Sequence, residues 1–323
     1  MHRGPDLSRS SLTLVVCLAA LAAAPALAAE RPDKVSFYFA AHADDWQLFM
    51  NPSAYEDVAG GAAKTVFIHV TAGDAGLGAG SGGRQHPFYL ARENGAERAI
   101  RFMAEAEAEA ASLRETASHP AFNGHGVYRT SYGGTVSYFL RLPDGHPSGA
   151  GYGGTGWQSL RRLAEGQVAT LTAVDQSASY HGWADLVATM RAIMAFERDG
   201  AGLMQINVAD PDPRQNPGDH SDHLMTSRLA RDAAADLGCV RRVYYVDYAS
   251  ARLPANLDPH EREIESAVFA ETVEGVRELD HLPDWRYYYQ SYVGRNYFRV
   301  EEPVGHCGPV TTAVAAVHAP AGP

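Results

Sequence analysis

His42, Asp44 and Asp45 lie within four residues of one another in the run Ala41-His42-Ala43-Asp44-Asp45, directly behind an apolar stretch at 35–40. An imidazole and a carboxylate can share a borderline metal such as zinc, which leaves the second carboxylate free as a base. A polar turn leaving a strand has the same composition, so this run alone does not choose between the two. Downstream, His220-Ser221-Asp222-His223 sets two imidazoles three residues apart at an expected helix start, where both can face the same way. Two strand ends that carry imidazoles and carboxylates on one edge of a sheet make a three-ligand metal site with an open position.

The elements around these residues read as an α/β chain. Short β-prone runs predict strands over 34–41, 64–70, 126–132, 135–142, 205–208 and 242–248. Helical patterns predict helices over 46–58 (interrupted at Asn51-Pro52-Ser53), 87–115, 184–197, 224–237 and 259–279. Strand–helix–strand spacing implies right-handed crossovers and a mainly parallel sheet, hence a Rossmann-like three-layer α/β/α fold. In such sheets ligands bind beyond the C-terminal strand ends, where both histidine runs fall. The glycines of 73–83 resemble a phosphate loop, but no Gly-Lys-Ser/Thr follows, and a mobile loop beside the site is the expectation. The aromatic run from Trp285 to Phe298 is expected to pack in the core or as a cap over the sheet rather than to form a sugar-stacking rim.

At 323 residues with a formal charge of −11 and no basic stripe, the chain is a poor partner for nucleic acid or anionic membrane surfaces. Residues 1–28 have the form of a secretory signal: Arg3 and Arg9, an apolar stretch at 12–21, and Ala26-Leu27-Ala28 as the cleavage site. The apolar stretch is too short for a membrane span. Export would leave Cys239 and Cys307, which an oxidising compartment could join or which could stay separate thiols. The expected organisation is a leader at 1–28, one domain at 29–308 with a C-terminal extension from about 250, and a disordered tail at 309–323.

Four short motifs occur in a telling order: His42-Ala43-Asp44-Asp45, Thr71-Ala72-Gly73-Asp74, Leu142-Pro143-Asp144-Gly145 and His220-Ser221-Asp222-His223. Over residues 34–250 the chain resembles the LmbE-like, or PIG-L, zinc-dependent N-deacetylases. The resemblance implies zinc, or another divalent transition metal, on His42, Asp45 and His223. It also implies Asp44 as general base, His220 as oxyanion stabiliser or proton donor to the leaving amine, and Arg92 and Asp74 as substrate contacts. Two departures stand out: Ala43 where the family has proline, and Trp46 where it has glutamate, a change expected to alter substrate choice or local electrostatics. Ser221 likewise replaces a common proline. His69, mid-strand, reads as a core histidine. Asp210, Asp212 and Asn216 resemble a calcium loop spoiled by its prolines and Arg214.

The expected function is secreted or periplasmic, zinc-dependent hydrolysis of an N-acyl amide, most simply N-acetyl on an amino sugar or glycoconjugate. Two alternatives stand beside it: a non-catalytic glycan-binding protein on the same scaffold, and a zinc hydrolase of another amide or ester. Neither the sugar nor the oligomeric state is legible in the sequence.

Overall fold

A computed structural model of the chain describes residues 33–106 and 113–304, together with the single positions 1 and 307. The expected leader, beyond residue 1, and the expected tail at 309–323 lie outside the described residues. From residue 33 the described residues form one compact unit.

Strand β1 (Lys34–Ala40) leads into two short helices, α1 (Asp45–Phe49) and α2 (Ser53–Ala59), then β2 (Ala63–Thr71) and α3 (Phe88–Glu105). Next come β3 (Glu115–Ser118), the two-residue strands β4 (Ala121–Phe122) and β5 (His125–Gly126), β6 (Tyr128–Tyr132) and β7 (Thr135–Leu142). Helix α4 (Leu160–Ala164), the ribbon of β8 (Thr170–Thr172) and β9 (Ser179–His181), α5 (Trp183–Arg198), β10 (Leu203–Ala209) and α6 (Ser221–Ala233) follow. The last elements are β11 (Val240–Tyr245), α7 (Pro259–Glu278), α8 (Trp285–Ser291) and β12 (Phe298–Glu301).

Eight strands form one sheet in the order β12-β11-β10-β1-β2-β7-β6-β3. The five central strands, β11 to β7, run parallel, and the edges β12, β6 and β3 are antiparallel. The parallel strands are buried on both faces, as crossover helices require. Along β1 the alternation is clean: Val35, Phe37 and Phe39 enter one core with residues of α4, α5 and α6. Tyr38 and Ala40 enter the other, with residues of α1, α3, α7 and α8. The architecture is therefore three-layered α/β/α. Asp258 opens α7 with a capping box to Glu261, and Pro259 sits at its first position.

Several expectations are corrected. The helix expected over 87–115 ends at Glu105, and Glu115 instead begins β3. All four β3 side chains are exposed, so its pairing with β6 leaves no apolar alternation to read. The helix expected over 224–237 starts three residues earlier at Ser221, because the His220 side chain caps it, and stops at Ala233. The end of the aromatic run is a strand, β12, paired antiparallel with β11. Cys239 and Cys307 are joined by a disulfide with Cα atoms 5.4 Å apart. Among the described residues no helix is long and apolar enough to cross a membrane.

Candidate metal centre

The chain leaves β1 for β2 on one side of the sheet and returns through β10 on the other, so β1 and β10 bound the point where strand order reverses. Their C-terminal ends carry the two histidine runs. His42 follows β1 by two residues, and the segment after β10 brings His220 and His223 to the first turn of α6. Loops from the neighbouring parallel strands close around them: Asp74 after β2, Asp144 after β7 and Asp247 after β11. These loops are locked by backbone-to-carboxylate bonds. The Asp144 amide donates to Asp74 (2.9 Å) and the Gly145 amide to Asp222 (2.7 Å). A Cβ at Gly145 would collide with Asp222, so only glycine lets the β7 loop approach α6 this closely.

His42, Asp45 and His223, all buried, converge on one point. His42 Nδ1 lies 3.2 Å from His223 Nε2, and Asp45 Oδ1 lies 3.4 Å from the first and 3.3 Å from the second. Tetrahedral coordination with bonds of about 2.05 Å sets ligand atoms roughly 3.3 Å apart. The three edges match that spacing, so the donor set fits zinc or a metal of similar size. Charge agrees. Asp44, Asp45, Asp144, Asp219, Asp222 and Asp247 crowd the region, and a dication offsets an excess that Arg92 alone does not.

The far nitrogens of both ligand histidines face carboxylates, which fixes the ring orientation as metal sites require. His223 Nδ1 meets Asp219 at 2.9 Å and Asp247 at 3.1 Å. His42 Nε2 faces Asp222 at 3.6 Å. Burial opposes charge on His42, but Asp45 and Asp222 outweigh it and lift its pKa to about 10. Burial pushes Asp247 up to about 8.

His220 behaves differently. Its Nδ1 accepts the Asp222 amide at 3.1 Å as the N-cap of α6. A neutral imidazole accepting at Nδ1 carries its proton on Nε2. Burial, then the neighbouring His42 and His223, drive its pKa down to about 2. The ring is therefore neutral with Nε2–H as a donor, 4.0 Å from Asp144. A second grouping of His42, Asp144, His220 and Asp222 could be taken for another metal site, but this tautomer leaves His220 no free lone pair toward it.

The remaining expected residues divide. Asp44 is half-buried, precedes α1 without a side-chain capping bond, and pairs with Arg92 from α3. A Cβ at Gly73 would press on the Arg92 guanidinium, so the glycine after β2 gives that side chain room. Asp74, by contrast, is fully buried and accepts from the Gly78 and Asp144 amides. It holds two loops together. Trp46 turns into the core, where its indole N–H donates to His69 at 3.2 Å and its ring packs on Phe67. It does not stand in the site. Asp210 is taken by Arg299 at 2.6 Å and holds no loop for calcium.

Asp144, Asp219, Asp222 and Asp247 had no role in the sequence reading. Asp144 and Asp222 lay inside quoted motifs, but their contacts run between separate strand ends.

No protein-family model matches the chain, and no curated protein matches it. Among solved structures it is similar to the zinc-inhibited form of teicoplanin deacetylase Orf2, at 12% identity and a TM-score of 0.43, over 83% of this chain and 98% of that one. It is also similar to a deacetylase–teicoplanin complex from the teicoplanin biosynthesis pathway, at 13% identity and a TM-score of 0.43, over 84% and 97%.

Proposed function

We propose that the chain is a metal-dependent hydrolase that removes an N-acyl group from an amino sugar or glycoconjugate. What carries this reading is the triangle of His42 Nδ1, Asp45 Oδ1 and His223 Nε2, with a separate carboxylate, Asp44, on the adjoining residue. Those three side chains would hold zinc or another divalent transition metal, which supplies Lewis acidity to an amide carbonyl and acidifies water. A binding protein needs no base beside a metal.

In the hydrolysis a water oxygen bonds to the acyl carbon and the C–N bond breaks. Asp44 takes a proton from that water, with Arg92 holding the carboxylate in place. His220 donates its Nε2–H to the carbonyl oxygen as negative charge builds there. The proton on Asp44 passes to the amine nitrogen as it leaves, and the products are a carboxylic acid and a free amine. The leader-like residues 1–28 and the Cys239–Cys307 disulfide support an exported enzyme working on an envelope or extracellular glycan.

The test is metal content and product analysis for the wild type and Asp44→Asn, with N-acylglucosamine oligomers as substrate. We expect about one zinc in each protein and a kcat at least about 10²-fold lower in the variant. Full activity in Asp44→Asn would overturn its role, and cleavage of an O-acyl sugar ester with the N-acyl amide left intact would point to ester hydrolysis instead.

A further inference from the structure

Beside Asp44 and Arg92 the structure has a cleft of about 120 Å³ between α3, α7 and the segment that enters α8. Its walls are Phe88, Phe269, Val273, Val276, Leu282 and Tyr288. Its other polar groups are few: the Tyr288 hydroxyl, Thr272 and Asp284. Thr272 donates to the Val268 carbonyl at 3.2 Å, and Asp284 accepts the Tyr287 amide at the start of α8. Most of the cleft's lining is apolar, and burying a sugar's several hydroxyls against it without partners is costly. Its size is close to that of an apolar cavity of about 150 Å³ that takes up benzene.

Resting on the deacylase reading above, we propose that this cleft receives the acyl chain of the substrate and selects chains of about four to six carbons over acetyl. Of the two halves of an N-acyl amino sugar, only the acyl chain lacks hydroxyls. Two of the three charged residues of the cleft, Asp44 and Arg92, are the base of the proposed reaction and its ion-pair partner, and the third, Asp284, opens α8, so a chain with its amide end beside Asp44 lies along the apolar walls. Val273 and Leu282 line the cleft on its apolar side, which makes them specificity residues rather than catalytic ones.

Each methylene that the cleft removes from water raises kcat/KM by up to about fourfold, so hexanoyl should exceed acetyl by about 10- to 200-fold. The experiment has two arms on the zinc-loaded protein. In the first, amine release is followed from glucosamine carrying acetyl, butanoyl or hexanoyl, and from N-acetylglucosamine bearing a hexyl aglycone. In the second, acetamide and hexanamide binding is compared by NMR titration. Both arms are repeated with Val273→Phe, and with the milder Val273→Met if phenylalanine prevents folding.

We expect hexanoyl and hexanamide to be preferred at least tenfold, with the preference falling to within about threefold in the filled variant. Equal binding of the two amides overturns the proposal. So does a preference that follows the hexyl aglycone and not the acyl chain. Hexanamide preference that Val273→Phe abolishes, with no acyl sugar turned over, would keep the cleft and remove the deacylase reading.

Discussion

His69 sits fully buried behind the site, stacked on Phe139 and accepting from the Trp46 indole. Burial lowers its pKa to about 4. The unfolded chain binds a proton at about pH 6.5 and the folded one does not until about pH 4, so His69 costs no stability above pH 6.5. Stability is lost as pH falls from 6.5 toward 4, at about 1.4 kcal/mol per unit. Denaturant unfolding at pH 7 and pH 5 should show the wild type losing about 2 kcal/mol more than His69→Gln over that interval. Equal losses would mean that the imidazole is not held neutral. At His220 the two nitrogens have separable duties, one capping α6 and one donating into the site. Asparagine is also a good N-cap. His220→Asn should therefore keep zinc and a melting temperature within a few degrees, while kcat falls about 10²- to 10³-fold. A matching loss of stability and activity would show that capping is all His220 does.

Helices α3 and α7 cross at Gly95 and Gly275, where a side chain on either would meet backbone: Thr272 O at 2.6 Å from a Cβ on Gly95, and Gly95 Cα at 2.7 Å from one on Gly275. The close crossing places Arg92 against Asp44 on one side and Thr272 and Val276 beside the apolar cleft on the other. Gly95→Ala should cost about 1–3 kcal/mol in unfolding free energy. A neutral substitution would show that the crossing can relax. Neither glycine was legible as a packing device, because glycine inside a helical pattern gives no sign of which backbone approaches it. The elements themselves were read well where period and burial agree. β1, β2, β7 and α5 each carry an apolar pattern that matches the face they bury. β3 and β12 were missed because each is a four-residue edge strand, exposed or only partly buried, whose place is set by the neighbour it pairs with.

For the molecule as a whole, the sheet's reversal of direction between β1 and β10 turns two histidine runs 178 residues apart, His42 and His220, into one centre; their rings lie 4.7 Å apart. The runs were visible because histidine and aspartate at short spacing are uncommon after apolar strands. The carboxylates that orient the histidines were not. Asp222 in the first turn of α6, Asp219 just before it and Asp247 after β11 acquire meaning only when the strand ends are side by side. Burial of this acidic cluster at the C-terminal edge of a parallel sheet is what a resident cation would explain. The most direct measurement is anomalous diffraction at the zinc edge from zinc-loaded crystals. The account predicts one strong peak per chain within about 2.3 Å of His42 Nδ1, Asp45 Oδ1 and His223 Nε2, with Asp44 and His220 outside the coordination sphere. A peak centred instead on Asp144, His220 and Asp222, or none at saturating zinc, would contradict it.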